Sequence, residues 1–426
     1  MTYLKTTSLK PRVCLALPGI QYTPQSPYVR STLPMVPYLE KDFDIVLAYR
    51  KIINLHSPDH IHHKFLTILD SERISKREKR NTHPYFQPQH YPALWKYQNE
   101  IKHFAKQHAS EFDLVFEKEW PWLGAFVREF SELGVPTSML IEAMYKRPPS
   151  TKLGISKKIA SLGLQSLRTH KRAEWSRKAD SLVVETDEMK SVVLDYQFSS
   201  PTQPIYPIPY GVDAEVFKLR DRRECREKLS IPAEKVVLSY VGSLNRFIQE
   251  PGPVIIALGK VKPKDVVFHI IGDGSKRQEL EDLAQKYDAP VIFHGRLPQS
   301  EAALYISAAN LCVAPYNKHL YLGDRFTCAS LKVPEYLSCG RLILSIPCER
   351  MEKLSDQQNY GYLVSNRTED YINFFENFPD SEELKHKEEK LICDLQEGIL
   401  KEKKIVLRWW DIANMYKQVF EKTLGI

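Results

Sequence analysis

Residues 236–242 read Val-Val-Leu-Ser-Tyr-Val-Gly, and this stretch decides the fold. A short apolar run that ends on a turn residue is typical of a buried strand followed by a tight turn. The pattern recurs through the second half of the chain, at residues 266–271, 291–293, 311–314 and 342–345. Segments of helical composition, such as residues 276–287, fit between these runs. Strands that alternate with helices predict a parallel sheet covered by helices.

The first half of the chain carries the same alternation. Its apolar runs lie at residues 13–17, 43–48, 114–116, 138–141 and 181–184. Residues 125–133 form a predicted helix, which the Gly-Val-Pro sequence at 134–136 ends. Pro18 and Gly19 follow the first run and predict that its strand ends there in a turn. The first half therefore predicts a second sheet of the same kind.

Two domains are expected from the length, because 426 residues exceed the roughly 250 to 300 that one core usually fills. Residues 199–209 contain four prolines, which disfavour regular helix and central strand, so we place the interdomain linker there. We predict a first domain of residues 1–205, which the C-terminal helical segment 404–426 joins. The second domain is predicted at residues 206–403.

Composition excludes several classes of protein. The chain is 43% hydrophobic and 27% charged, which is ordinary globular usage. Its net charge of +7 is a small excess over this length, so it does not indicate a nucleic-acid partner. The seven cysteines form no CxxC pair, which favours reduced thiols in a cytoplasmic protein without a metal site. No apolar run approaches the roughly 20 residues of a membrane span and no leader pattern is present, so we expect neither secretion nor membrane integration.

Residues 146–178 are strongly basic, with ten Lys and Arg from Lys146 to Lys178 against one acid, Glu174. Ile155 and Ile159 recur near helical spacing, so one face of this segment is apolar and the other is positive. The pattern is typical of a helix lying on an anionic membrane surface, which would place the protein at the inner face of a membrane. It is equally typical of a helix that packs on the first-domain core with a solvated outer face.

The turns of the second half carry the candidate chemistry, because ligands bind beyond the carboxyl ends of parallel strands. Gly242 would let a backbone approach a phosphate closely. A helix that starts near Leu331 would direct its free amides and Lys332 at one anion. Glu335 lies one turn further on the same face, where its carboxylate can accept both hydroxyls of a ribose. Taken singly, a glycine after a strand usually only allows the turn, and a Lys and a Glu three residues apart usually form a solvent-exposed pair. The order and spacing of all these residues together favour a site for a nucleotide diphosphate.

The motif series resembles that of family-4 retaining glycosyltransferases with the GT-B fold. The matching segments are Pro-Ile-Pro-Tyr-Gly-Val-Asp at 207–213, Val-Gly-Ser-Leu at 241–244, Ile-Gly-Asp-Gly at 271–274, Gly-Arg-Leu-Pro at 295–298 and Leu-Lys-Val-Pro-Glu-Tyr-Leu-Ser-Cys-Gly at 331–340. Arg-Trp-Trp-Asp at 408–411 is similar to the family's closing helix. The resemblance implies two Rossmann-like parallel-sheet domains that face each other across a cleft. It also implies that the C-terminal helix crosses back to the first domain.

The resemblance assigns roles to individual residues. Lys332 and the amides of Ser330 and Leu331 would bind the donor diphosphate, Glu335 the ribose, and Arg296 would lie beside the base. The other donor-side residues that it implies are Gly242, Ser243, Gly272, Gly295 and Tyr316. Pro18, Gly19 and Arg30 would lie on the acceptor side.

This chain departs from the family pattern at four positions. The family's Arg and Lys, which stabilise the leaving diphosphate, are replaced by Ser243 and Ile248, and Arg246 is the nearest substitute. The family's first Glu is replaced by Thr327. Glu142 stands where the family often has a His; it would orient the sugar or acceptor, or it caps a helix.

The sequence thus favours a metal-independent retaining glycosyltransferase without a cofactor. It would move a sugar from a nucleotide-sugar donor to a carbohydrate, polysaccharide or lipid-linked acceptor, with Arg246, Lys332 and Glu142 as catalytic residues. The missing Arg and Lys keep open a non-catalytic GT-B protein that binds a carbohydrate or a partner. A sugar-nucleotide epimerase is the less favoured alternative.

Overall fold

A computed structural model describes residues 10–22, 31–52, 64–67, 91–118, 125–142, 169–245 and 248–426. The chain forms two compact units, one of Met1–Pro209 with Trp410–Ile426 and one of Tyr210–Trp409. The predicted boundaries, 205/206 and 403/404, lie a few residues before these points. The sequence also predicts a helix near residues 71–79, and this segment lies outside the described residues.

The first unit contains seven parallel strands and several helices in its described part. The strands are β1 (Arg12–Tyr22), β2 (Asp44–Ile52), β3 (Lys64–Thr67), β4 (Leu114–Lys118), β5 (Thr137–Ile141), β6 (Ser181–Val184) and β7 (Ile205–Pro207). The helices are α1 (Val36–Leu39), α2 (Tyr91–His108), α3 (Ala125–Ser131) and α4 (Asp187–Asp195). The order across the sheet is β3-β2-β1-β4-β5-β6-β7, so β4 lies in the middle with β1 and β5 on either side.

Strand β1 corrects one prediction, because it does not end at Pro18 and Gly19. It runs on to Tyr22, and its pairing with β2 is interrupted between Leu17 and Gln21. A proline cannot donate a ladder hydrogen bond, so an irregularity in the pairing is where a strand can accommodate one.

Strand β7 lies inside the proline-rich segment 199–209, for which only helix and central strand were excluded, and the first unit ends at Pro209 in the same segment. It is the last strand in the order of its sheet and pairs with β6 alone. An edge strand tolerates proline because the missing N–H points away from the ladder.

The second unit repeats the parallel architecture. Its strands are β8 (Val236–Val241), β9 (Val266–Ile271), β10 (Val291–Gly295), β11 (Leu311–Ala314), β12 (Leu342–Ser345) and β13 (Gly361–Leu363). Its helices are α5 (Arg222–Lys228), α6 (Gly252–Val261), α7 (Arg277–Lys286), α8 (Gln299–Ala308), α9 (Lys332–Ser338), α10 (Glu349–Leu354), α11 (Thr368–Glu376), α12 (Ser381–Gln396) and α13 (Ile399–Glu402). The sheet order β10-β9-β8-β11-β12-β13 places β8 and β11 side by side at the point where the order reverses. Such a reversal is where open α/β sheets bind ligands.

The last helix, α14 (Trp409–Leu424), joins the first unit, as the sequence predicts. Tyr416 and Phe420 pack edge-on and tilted against Phe116, with ring centroids 5.4 and 5.6 Å apart. The helix begins later than the predicted residue 404. Residues 405–407 are buried, the amides of Ile405 and Val406 donate to the Leu400 carbonyl, and the Leu407 carbonyl accepts a hydrogen bond from the Val212 amide.

Candidate functional site

Three glycine-containing turns meet at one edge of the second sheet. We call this the carboxyl edge: the ends of β8, β9, β10 and β11 with the turns that follow them. The Gly242 amide donates to the Ile271 carbonyl (2.9 Å), and the Gly272 amide donates to the Gly295 carbonyl (2.7 Å). The predicted donor-side glycines are therefore neighbours.

Gly272 shows how closely these turns approach. Its φ is +150°, and a Cβ at this position would overlap the Gly242 carbonyl oxygen. Glycine is required here both by the backbone conformation and by the space. The turns after β8 and β9 are thereby held in direct backbone contact.

Lys332 is the first residue of α9 and is only 7% exposed. Its Nζ lies 5.1 Å from the centroid of the Tyr240 ring and 5.5 Å from that of the Tyr316 ring. Both distances suit a cation–π contact. A Cβ on Gly242 would lie 2.8 Å from the Lys332 Nζ, so the ammonium sits directly against the turn after β8.

The two rings beside Lys332 are held by their hydroxyls. Tyr240 Oη donates to Gln249 Oε1 (2.7 Å) and lies 3.1 Å from the Ser243 carbonyl oxygen. Tyr316 Oη lies 2.6 Å from Ser330 Oγ. Each ring is therefore tied to a segment that borders the carboxyl edge.

The start of α9 differs in detail from the predicted anion site. Ser330 has a positive φ of 54°, and its amide donates to the Cys328 thiol (3.4 Å). Its Oγ accepts from the Val333 amide (3.4 Å). These contacts already use the Ser330 and Val333 amides, so the side chain of Lys332 is the stronger candidate for holding an anion. Glu335 lies in the same helix and is also buried.

Lys332 is distinguished from the other buried cations of the second unit by its place. Arg226 donates to the carbonyls of Ala308 and Ala233, which precede strands, and Arg341 directly precedes β12. Both arginines therefore serve the amino ends of the strands. Burial lowers the pKa of Arg226 to about 10. Within the described residues, Lys332 is the one buried lysine or arginine at the carboxyl edge.

The structure gives only the burial or a local contact of the remaining predicted donor-side residues. Arg296 is exposed beyond the end of β10. Ser243 Oγ accepts from the Asn245 amide (3.2 Å). Ile248 and Thr327, which stand where the resemblance implies a Lys and a Glu, are both buried. Arg246 lies outside the described residues, so its role stays a prediction.

Glu142 follows β5 at the equivalent edge of the first sheet. Its Oε1 forms an ion pair with Lys118 Nζ (3.2 Å), and Lys118 is 2% exposed. Lys118 Nζ also donates to Ser31 Oγ (2.6 Å) and lies 3.4 Å from Thr32 Oγ1. Of the predicted acceptor-side residues, Pro18 and Gly19 lie in β1, and Arg30 lies outside the described residues.

Sequence reasoning missed Lys118 and Tyr240. Lys118 ends the apolar run of β4, so a charged residue at the carboxyl end of a strand was the available signal. Tyr240 stands inside a strand pattern, where an aromatic residue is ordinary core, and the sequence carries no signal that its ring faces Lys332.

Residues 143–168, most of the basic segment, lie outside the described residues. Four of its basic side chains are described, and each has a partner within the chain: Lys171 with Glu174, Arg172 with the Glu142 carbonyl, Arg177 with the Gln197 carbonyl and Lys178 with Glu132. The described part of the chain contains no helix long and apolar enough to cross a membrane.

Part of the second unit matches a known protein family. Residues 235–376 match the family model described as "Glycosyl transferases group 1", and this segment contains Gly242, Lys332 and Glu335. A D-inositol 3-phosphate glycosyltransferase of Mycolicibacterium paratuberculosis is 28% identical over 154 residues, which are 35% of this chain and 34% of the relative. The match thus spans about a third of the length of that curated relative.

Two solved structures show the same fold over nearly the whole chain. Sucrose-phosphate synthase from Thermosynechococcus elongatus has a TM-score of 0.68 and 16% identity, and covers 98% of this chain and 100% of its own. HepE of Anabaena in complex with UDP and glucose has a TM-score of 0.69 and 11% identity, covering 96% and 99%. These findings confirm the predicted resemblance to glycosyltransferases with the GT-B fold. The finer assignment to family 4 stays a prediction.

Proposed function

We propose that this protein is a glycosyltransferase that moves a sugar from a nucleotide-sugar donor to an acceptor with retention of configuration. The observation that carries the proposal is the buried Lys332 ammonium, which lies against Gly242 at the carboxyl edge of the second sheet. The family match to residues 235–376 supports the same reading. In the HepE structure, UDP and glucose are the bound molecules.

The chemistry needs a positive charge where the diphosphate departs. Negative charge grows on the leaving diphosphate as the bond to the sugar breaks, and a fixed cation stabilises that charge most in a water-poor site. Lys332 supplies such a cation from a buried position. In this proposal Lys332 serves where a divalent ion would serve in other transferases, so the reaction is metal-independent.

Glu335 has a separate role in binding the donor. A carboxylate can accept hydrogen bonds from two vicinal hydroxyls, such as those of a ribose. Glu335 lies one helical turn after Lys332, so a nucleotide whose diphosphate meets Lys332 has its ribose within reach of Glu335. The two residues together favour a nucleoside diphosphate over an isolated phosphate.

Calorimetry with UDP, GDP and ADP tests the proposal most directly. We expect one of these nucleotides to bind the wild-type protein, and the Lys332→Ala variant to bind it at least about tenfold more weakly, since a charge-assisted contact contributes roughly 1.5 to 3 kcal/mol. Lack of binding by all three nucleotides would instead support the non-catalytic alternative.

Two further measurements test the finer parts of the proposal. Turnover that persists in EDTA supports metal independence, and turnover that needs added Mg²⁺ contradicts it. The anomeric configuration of the product, read from NMR coupling constants, decides between retention and inversion. Both require the donor that the calorimetry identifies.

The acceptor in this proposal is a carbohydrate or lipid-linked molecule that meets Glu142 in the first unit. Its delivery at a membrane would involve the basic segment 146–178, where each Lys or Arg near an anionic surface contributes about 1 kcal/mol. Flotation with phosphatidylcholine vesicles, with and without phosphatidylglycerol, tests this part. Equal recovery with the two vesicle types, or recovery that raised salt leaves unchanged, contradicts membrane binding through charge.

A further inference from the structure

We propose that Gly242, Tyr240 and Tyr316 are positioning residues for Lys332: the two rings hold its ammonium, and the glycine leaves the space that the ammonium occupies. This inference rests on the proposed function, because it concerns the cation that would meet the donor diphosphate. It adds to that function the reason why the ammonium stays buried, charged and aimed at the carboxyl edge.

Gly242 leaves space for the Lys332 ammonium. Its φ lies outside the left-handed range, so the backbone there does not require glycine. Space favours glycine instead, since a Cβ would lie 2.8 Å from Lys332 Nζ, 3.2 Å from Lys332 Cε and 2.9 Å from Tyr240 Oη. These atoms are the ends of flexible side chains, so a larger residue would make the Lys332 ammonium or the Tyr240 hydroxyl shift from its place. Glycine at this position thus serves the lysine rather than the turn.

The faces of two aromatic rings attract the Lys332 ammonium. Burying an ammonium costs free energy, which an attractive contact must offset. The faces of Tyr240 and Tyr316 attract a cation through their quadrupoles without carrying a net charge. The two ring faces therefore help to hold the Lys332 ammonium in its buried position at the carboxyl edge.

The hydroxyls of Tyr240 and Tyr316 hold the two rings in place. Tyr240 Oη donates to Gln249, so its ring is fixed to the segment after β8. Tyr316 Oη meets Ser330 Oγ, so its ring is fixed to the residues that lead into α9. The ammonium is thereby held from two sides by segments that both border the carboxyl edge. A small change in either segment would move it.

Paired variants separate the ring from its hydroxyl. Tyr240→Leu removes the ring face, whereas Tyr240→Phe retains it and removes only the hydroxyl. We expect Tyr240→Leu and Gly242→Ala each to weaken binding of UDP, GDP or ADP, whichever binds the wild type, by about fivefold or more. Tyr240→Phe keeps the ring face but loses the hydrogen bond to Gln249, so it should lose less affinity than Tyr240→Leu. Gly252→Ala is the matched control, because a Cβ there meets Leu283 Cδ1 at an ordinary 3.5 Å, and its affinity should equal that of the wild type.

NMR of protein labelled with ¹³C at the lysine ε-carbon tests the contact itself, independently of any nucleotide. The Lys332 ε-protons, assigned by their absence in Lys332→Met, should show an upfield ring-current shift. Tyr240→Leu and Gly242→Ala should reduce that shift, while Gly252→Ala and Tyr240→Phe should retain it.

The two measurements keep the two proposals apart. If no nucleotide binds the wild type, the proposed function fails, and the ring-current shift alone decides whether the rings hold Lys332. If Lys332→Met weakens binding but Gly242→Ala and Tyr240→Leu bind like the wild type, the positioning role is overturned and the donor site stands. A wild-type Lys332 signal at the shift of exposed lysines also overturns it, even if a variant folds poorly.

Discussion

Among the described residues, the carboxyl edge of each sheet buries one lysine, Lys118 in the first unit and Lys332 in the second, and these two lysines have different contacts. In the first unit Lys118 forms an ion pair with Glu142, with its Nζ 3.2 Å from the carboxylate. In the second unit Lys332 faces the rings of Tyr240 and Tyr316. An ion pair neutralises a charge locally, whereas ring faces hold a cation without neutralising it. In the proposed function, the second edge meets the donor diphosphate and the first edge meets the acceptor.

The largest expected effect is that of Lys332 on nucleotide binding. Lys332→Met should weaken binding of the nucleotide by about tenfold to a hundredfold, because a charged contact with the diphosphate is lost. Lys118→Met should leave the same affinity unchanged. Calorimetry on both variants makes this comparison, and equal losses from the two lysines would remove the distinction between the edges.

A pH effect on stability is expected from the second unit. His269 stacks on His294 in neighbouring strands, and burial, followed by the nearby charges of His294 and Arg226, lowers the pKa of His269 to about 4. The unfolded state keeps a histidine pKa near 6.5, so it gains a proton first as the pH falls. The free energy of unfolding should therefore fall by on the order of 2 kcal/mol between about pH 6.5 and pH 4.

Urea unfolding at pH 7 and pH 4.5 measures this loss. The variant His269→Gln should show a smaller difference between the two pH values than the wild type, although it is less stable at pH 7. A pH dependence that the substitution leaves unchanged would mean that other groups are responsible.

Lys118 should matter to stability rather than to nucleotide binding. Lys118→Met leaves Glu142 without its buried partner and removes the hydrogen bond to Ser31, so we expect a loss of about 1 to 2 kcal/mol. The double variant Lys118→Met/Glu142→Gln should recover part of that loss. Thermal unfolding of the two variants gives the answer, and full stability of the single variant would show that the ion pair is unimportant.

The smallest effect is expected for Glu335. Glu335→Gln retains one oxygen acceptor for a ribose hydroxyl, so nucleotide binding should weaken only about threefold to fivefold, equivalent to roughly 1 kcal/mol. Glu142→Gln serves as the matched control at the other edge and should leave nucleotide affinity unchanged. Weaker binding in both variants would mean that the nucleotide contacts both carboxylates.

Much of the fold could be predicted from local pattern. The runs that became β6, β8, β9, β11 and β12 keep the predicted bounds, because a buried parallel strand is a continuous apolar run. The sequence analysis missed three short strands, β7 and β13 with three residues each and β3 with four, which are too few for a pattern to emerge. The predicted end of β1 at Pro18 and Gly19 was wrong. Strand β1 pairs with β2 both before and after these two residues, so it continues beyond them.

The candidate site could be predicted only in part. Lys332 and Glu335 carry a local signal, because their spacing places both on one helix face. The contact of Lys332 with Tyr240 carries no local signal, since it joins a helix to a strand that lies far away in the sequence. The proximity of Gly242 to Lys332 could not be predicted either. A glycine after a strand is expected to allow a turn, whereas here it leaves space for a side chain from another element.

Helix α14 has a consequence for the order in which the chain folds during synthesis. The second unit is one continuous stretch, Tyr210–Trp409, inserted into the first unit. Phe116 and Phe43 of the first unit pack on Phe420, which the ribosome adds only after the whole second unit has been made. The second unit can therefore complete its core while the first still exposes an aromatic surface. In this protein the part that is translated first is the part that finishes folding last.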